Sequence, residues 1–210
     1  MAAAAESIQP TRGELLKLRN RIKLAERGHE LLEEKRDALI TEFFDVLDRL
    51  EDIREKMEER LKEAFKDLIE AMAVMGTPDV RKSANAATRD IEVDVDMRSI
   101  MGVGVPVIEF EDFERKATER GYSLHQTSSK LDEASKEFET ALNTVLELAE
   151  VESTVKSLAK EIEKTKRRVN SLEHVLIPRL EEAKEYIEFR LAEMEREDFF
   201  RLKRIKAKMR

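Results

Sequence analysis

The chain has no cysteine and no tryptophan, and its 210 residues include only two tyrosines, six glycines and four prolines. Without cysteine there is no disulfide, no zinc knuckle and no thiol nucleophile, a usage that fits an intracellular protein. Aromatic residues make up 5% of the chain against 40% charged, which leaves too few large apolar side chains for a thick globular core. No apolar run approaches the roughly 20 residues that cross a bilayer, so direct membrane insertion is not expected. Residues 1–10, MAAAAESIQP, lack the basic flank and long apolar stretch of a signal peptide and read as a flexible tail.

What is abundant is Glu, Lys, Arg, Leu and Ala, the composition of long helices whose only apolar surface is a narrow seam. An apolar fraction of 41% is too high for disorder. The formal charge of −7 disfavours general nucleic-acid binding, but the charge is unevenly placed. Residues 12–27 hold Arg12, Lys17, Arg19, Arg21, Lys23 and Arg27 against Glu14 and Glu26, a net +4. The last twelve residues hold six basic side chains, Arg201, Lys203, Arg204 and Lys206 among them, and no acidic one, so the rest of the chain sums to −17.

Thr11 followed by Glu14 has the spacing of a capping box and predicts a helix start. From there Leu15, Leu18, Ile22, Ala25, His29, Leu32, Arg36, Leu39, Phe43, Val46, Leu50, Ile53 and Met57 step by three and four, a heptad seam with His29 and Arg36 as polar exceptions. A stutter after Met57 leads to Leu61, Ala64, Leu68, Ala71 and Met75. Gly76 and Pro78 then stop the first helix, expected over 11–75 and roughly 95 Å long. A second seam, opened by a weaker cap at Ser129 and Asp132, runs from Leu131 through Leu172, Leu176 and Leu180 to Met194. It predicts a second helix over 129–208 of roughly 120 Å.

Between the helices, residues 76–128 hold four of the six glycines. Ile91, Val93, Val95 and Met97 alternate with acidic residues at the period of a strand with one buried face. With VPVIEF after MGVG they predict a β-hairpin at about 90–109, with Pro106 at an edge position and a short helix at about 111–120. Ile91, Val93, Val95, Val107 and Phe110 are the expected contact residues of this segment.

Neither helix is stable alone with its seam in water, and the simplest partner is the other one. The predicted fold is mainly α: a long antiparallel two-helix left-handed coiled coil, with a foot of β-hairpin and short helix at the end opposite the termini. That arrangement gathers both basic stretches into one positive tip, which can be solvated surface, a grip on phosphate, or a grip on an acidic protein collar. Basic and aromatic stacking residues are not interleaved, which weakens the nucleic-acid reading.

Nothing in the chain points to chemistry. His29, His125 and His174 are scattered and read as seam or surface residues, so no metal site is expected. The segment GVGV is two glycines short of a phosphate-binding fingerprint and reads as turn chemistry. Acidic pairs such as Glu58 and Glu59 lie on a solvated helix face. No cofactor is expected. His29 and Arg36, one heptad apart, either fix the register of the coil or meet a partner. Gly28 beside them reads as a packing notch where another backbone comes close. Pro178 inside the second helix should bend it, with Phe43 and Phe44 placed to fill the bend.

The stretch PTRGELLKLRNRIKLAERGHELLEEKRDALI resembles the N-terminal signature of the D subunit of archaeal and vacuolar-type rotary ATPases. RRVNSLEHVLIPRLEEAKEYIEFRLAEMEREDFFRLKRIK is similar to that family's C-terminal signature. The likeness covers nearly the whole chain, strongest at 10–44 and 167–206 and weakest over 76–128, and the length looks archaeal or bacterial. The resemblance implies a non-catalytic central rotor shaft. Its tip would sit inside a ring of catalytic and non-catalytic subunits, A and B. Its foot would bind the small F subunit and the funnel-shaped C or d subunit on the membrane ring. Proton or sodium flow would turn the shaft, which would be cytoplasmic and peripheral to the plasma membrane. The residues read by themselves leave a second reading open, a coiled-coil tether, adaptor or prefoldin-like chaperone subunit.

Overall fold

A computed structural model describes residues 9–88, 91–110, 113, 115, 120–122 and 127–209. The elements are α1 (Arg12–Met75), α2 (Thr77–Ala86), β1 (Val93–Ile100), β2 (Val103–Phe110), α3 (Ser129–Ser171), a π-helical turn (Leu172–Leu176) and α4 (Ile177–Lys208). They form two compact units, residues 1–38 with 162–210, and residues 39–161.

The terminal unit pairs the start of α1 with the end of α3, the π turn and α4. Its ion pairs run Arg12 to Glu195, Arg19 to Glu188 and His29 to Glu173. Partner numbers fall as α1 numbers rise, which is the antiparallel order. The seam is apolar where the spacing placed it: Leu18, Ile22, Ala25, Val169 and Ile187 are buried, with Thr165 among them. Each Leu- or Ile-sized side chain withdrawn from water contributes about 1.5–3 kcal/mol, so this stripe outweighs the exposed ion pairs, worth about 0–1 kcal/mol each. Leu16, Leu24 and Leu31 lie off the stripe and are exposed.

The helix start uses half of the expected capping box. The Glu14 amide donates to Thr11 Oγ1 at 3.2 Å, but the Glu14 carboxylate turns away to Lys17 at 2.7 Å, and the Thr11 amide donates to the Gln9 carbonyl at 2.9 Å. Lys17, followed by Arg21, draws the Glu14 carboxyl below its ordinary pKa. A cation one turn on competes better for the carboxylate than the backbone does.

The π turn occupies the region where Leu172, Leu176 and Leu180 are spaced by four and four. The Ile177 amide donates five residues back to the Leu172 carbonyl, and Pro178 has no amide to give. The widened turn rotates Leu176 off the seam, leaving it 43% exposed beside Val175 at 41%, so the expectation that Leu176 packs in the seam is corrected. The residue facing this break is His29, through Glu173. Phe43 and Phe44 belong to the other unit and pack edge-on against each other at 5.8 Å.

The central unit pairs the rest of α1 with α3, again antiparallel: Arg60 donates to Thr144 Oγ1 at 2.7 Å, the Phe65 and Phe138 rings meet edge-on at 5.3 Å, and Lys130 pairs with Glu70. Gly76, at φ +87, ends α1, and Pro78 in the first turn of α2 restarts the chain as a helix that the sequence pattern does not announce. The same Gly and Pro that stop one helix open the next, because proline is tolerated where an amide has no intrahelical partner. Val80 on α2 is buried against Ala71 and Leu131, with Leu68, Met72, Met75 and Tyr122 around them. The α3 cap is Ser128, whose hydroxyl accepts the Lys130 amide at 3.2 Å. Ser129 is already helical and Asp132 is engaged elsewhere. The short helix expected at about 111–120 falls mostly outside the described residues.

β1 and β2 form an antiparallel hairpin closed by Met101 and Gly102, both at positive φ, 50° and 80°. This is the two-residue geometry whose twist matches the strands. Gly104 lies within β2, not in the turn, and a Cβ there would meet the Met97 methyl at 3.1 Å. The hairpin lies along α3: Phe113 N–H donates to Asn143 at 3.4 Å, Ile108 N–H donates to Glu150 at 3.0 Å, and Val105 and Val107 line a cleft with Val46, Val151 and Thr154.

Candidate partner surfaces

The register decides which hairpin face is covered. Cross-strand partners project to the same side. Ile100, Val103, Arg98, Val105, Asp96 and Val107 therefore share one face, and Val103 and Val105 on it are 7% and 2% exposed. Val93, Val95 and Met97 share the opposite face with Phe110, Ile108 and Pro106, and are 37%, 60% and 71% exposed, with Ile91 at 49% just before the strand. The face that the alternation marks as buried is thus the outward one, and Val107 is not on it. Periodicity reveals that a strand has an apolar side but not what covers that side.

A polar clasp that carries no sequence signal ties Arg115, Arg120 and Tyr122 to α3. Glu139, buried, accepts from Arg115 Nε at 2.9 Å and Arg120 Nη2 at 3.4 Å. Arg120, 5% exposed, also donates to the Asp132 carbonyl at 3.0 Å, and Tyr122 donates its hydroxyl to the Asp132 carboxylate at 2.7 Å. Burial works against the Arg120 charge, but Glu139 and then Tyr122 outweigh it and hold the guanidinium protonated. Burial, and next the bond to Asp132, pushes the Tyr122 hydroxyl above its ordinary pKa. Gly121, at φ +82, brings the backbone so close that a Cβ would lie 2.8 Å from the Ala86 carbonyl.

Of the basic residues singled out in the sequence, Arg12, Lys17, Arg19 and Arg201 are held in ion pairs, with Glu195, Glu14, Glu188 and Asp198. Arg21, Lys23, Arg27, Lys203, Arg204 and Lys206 are exposed with no ion pair among the described residues. Residues 12–27 lie alongside the partner helix, and α4 continues past the Arg12–Glu195 pair with the second basic stretch. From Ala192 to Met209 every residue is exposed. This bare helix carries apolar side chains beside its cations: Phe199 66%, Phe200 63%, Leu202 65%, Ile205 54% and Met209 83% exposed.

His29 sits on the seam with Nδ1 3.7 Å from Glu33 and Nε2 3.7 Å from Glu173 of the facing helix. Arg36 is tied to its own helix, to Asp37 at 2.9 Å and Glu33 at 3.5 Å. Gly28 is not a packing notch, since a Cβ built there meets nothing within 4 Å. Among the described residues no group of three His, Cys, Asp or Glu side chains could hold a metal ion; His125 lies outside them. Among the described residues, no helix is long and apolar enough to cross a membrane.

The family model for the D subunit of ATP synthase matches residues 14–207. The chain is 54% identical over 202 residues to the A-type ATP synthase D subunit of Methanobrevibacter smithii, covering 96% of this chain and 87% of that protein. Against the A-type ATP synthase D subunit of Thermococcus gammatolerans it is 50% identical over 201 residues, covering 96% and 94%, and against that of Pyrococcus horikoshii 50% over 200, covering 95% and 94%. A match of this extent spans nearly all of both units, and the chain belongs to the family of D subunits of A-type ATP synthases.

Proposed function

We propose that this chain, a central-stalk component of a rotary ATP synthase, acts as a non-catalytic shaft carrying torque between the ion-translocating ring and the catalytic head. The observation that carries the reading is the bare end of α4, where exposed Phe199, Phe200, Leu202 and Ile205 alternate with Arg201, Lys203, Arg204 and Lys206. A single helix with apolar and basic side chains all round has no seam to bury in its own chain. It suits a collar that surrounds it on every side, and the A and B subunits of the head form that collar.

Arg12, Lys17, Arg19, Arg21, Lys23 and Arg27 continue the positive surface along α1 toward the same subunits. At the hairpin, Ile91, Val93, Val95 and Phe110 form the face that meets the small F subunit or the funnel-shaped C or d subunit, while Val107 supports it from beneath. The shaft works on the cytoplasmic side, peripheral to the membrane. The tether or prefoldin-like reading has no support in a family match that spans both helices.

The test is reconstitution. Mixed with the A and B subunits of a matching synthase, the chain is expected to be captured by their hexamer and to accelerate its ATP turnover. A hexamer that forms and turns over without capturing the chain overturns the proposal.

A further inference from the structure

The hairpin has an edge as well as a face. Ile100 and Val103 close a two-residue turn, so hydrogen-bonded and non-hydrogen-bonded pairs alternate outward from them. Val93, Val95, Met97 and Ser99 fall in the non-hydrogen-bonded pairs, which points their amides and carbonyls away from β2. The other strand obeys the same rule. Pro106, which has no amide, and Ile108, whose amide donates sideways to Glu150 at 3.0 Å, occupy the matching positions on β2. The β2 edge is therefore turned toward α3, and the β1 edge has no backbone partner among the described residues.

Two side-chain rows flank that edge. Val93, Val95 and Met97 are the exposed apolar row. On the other side Asp94 lies directly opposite Glu109, with Asp96 next along, all exposed and without a cation within ion-pair distance among the described residues. Like charges facing each other across a sheet destabilise it, so this row carries a repulsion that no described cation within ion-pair distance offsets. Acidic side chains also make the edge reject a second copy of itself, the usual protection of an open strand.

We propose that the β1 edge is a strand-docking site for a partner chain, which adds an extended segment alternating apolar residues with lysine or arginine. The main chain of that segment takes up the outward groups of Val93, Val95 and Met97. Its apolar residues extend the Val93, Val95 and Met97 row, and its cations lie beside Asp94 and Asp96 and relieve their repulsion with Glu109. This is sheet extension with pockets replaced by charge, in which backbone bonds supply affinity and the acidic row supplies selectivity. The inference rests on the reading of the hairpin as a contact surface of the stalk, and it specifies the chemistry of what binds there.

The probe is a short synthetic peptide in which valine and lysine alternate, added to the full-length chain while amide exchange is followed by NMR. The amides of Val93, Val95 and Met97 are expected to slow, whereas a valine–glutamate peptide and a block peptide with all valines before all lysines leave them unchanged. Val95→Pro removes only an outward amide, as Pro106 already does on β2, and should weaken docking by about tenfold or more with the hairpin retained. Asp94→Lys with Asp96→Lys should transfer the preference to the valine–glutamate peptide. Binding without amide protection, equal binding of the block peptide, or no binding overturns the proposal. Capture by the A and B hexamer is measured in parallel: docking lost with capture intact overturns this inference alone, and capture lost with docking intact overturns only the shaft.

Discussion

His29 Nε2 lies 3.7 Å from the carboxylate of Glu173 on the facing helix, buried and without a hydrogen-bond partner. The neighbouring seam positions on α1 are apolar, buried at Ile22, Ala25 and Leu39 and half-buried at Leu32, with Arg36 the other polar exception. A polar group at such a position lowers stability and restricts the pairings that are tolerated. His29→Leu removes a buried nitrogen with no hydrogen-bond partner, a group whose desolvation costs about 1–3 kcal/mol. The variant is expected to melt at higher temperature. Engineered cysteines at Arg12 and Glu195 should cross-link less selectively in it, with neighbouring pairings appearing. An unchanged cross-link pattern assigns register to the apolar seam alone.

Gly28, next to that histidine, has open space where a Cβ would be placed. Nothing but helix propensity then distinguishes glycine from alanine there, and the difference is about 1 kcal/mol. Gly28→Ala should raise the midpoint of thermal unfolding by about 2–4 °C. A fall would show that a neighbouring backbone occupies the space, the notch that the sequence pattern first evokes.

These two neighbours illustrate what can be read from sequence. The seam is legible because an apolar stripe at three-four spacing has one physical use, and Leu18, Ile22, Leu39, Ala64, Leu131 and Leu158 are all buried. The hairpin is legible from alternation and glycine. What covers a surface is not: the spacing of Val93, Val95 and Met97 is the same whether they face a helix or solvent, and only the register with Phe110, Ile108 and Pro106 decides. Local rivalry is equally hidden, as where Lys17 takes the Glu14 carboxylate from the helix cap. The clasp of Arg115, Arg120, Tyr122 and Asp132 around Glu139 joins residues with no periodic signature, so no pattern could have assembled it.

Glu139 holds that clasp together. Glu139→Gln keeps the shape but leaves the guanidinium groups of Arg115 and Arg120 short of a counter-charge, one of them 5% exposed. Breaking a buried pair by removing one partner costs about 3–5 kcal/mol. Chemical denaturation of the variant should show a loss of that order, with faster amide exchange around Arg120 and Gly121 and little change at Ile187. A loss below about 1 kcal/mol would mean that the charges find other partners or water.

Tyr122 gives the clasp an alkaline limit. Burial and the bond to Asp132 raise its pKa above the ordinary value of 10.0. The folded state therefore holds the proton more tightly than the unfolded state. The stability this contributes is fully present below pH 10.0 and is lost as the pH rises through the folded-state value. Denaturation followed on either side of that value should show the wild type losing more stability than Tyr122→Phe, which has no proton to release. Parallel curves for the two proteins would remove the linkage.

The bare end of α4 presents two kinds of side chain, and capture by the A and B subunits separates their contributions. Reversing Arg201, Lys203, Arg204 and Lys206 to Glu acts on exposed cations, whose attraction to an acidic collar steers approach and is screened over about 8 Å at physiological salt. That variant should associate about tenfold more slowly at low salt and approach wild type as salt rises. Phe199→Ser with Phe200→Ser removes two exposed rings, 66% and 63% accessible, from a helix that has nothing of its own to cover them. Their burial against a partner does not depend on salt, so this variant should dissociate faster at every ionic strength while retaining its helix content by circular dichroism. If charge reversal leaves association unchanged at low salt, the cations of α4 are solvated surface and the rings alone seat the shaft.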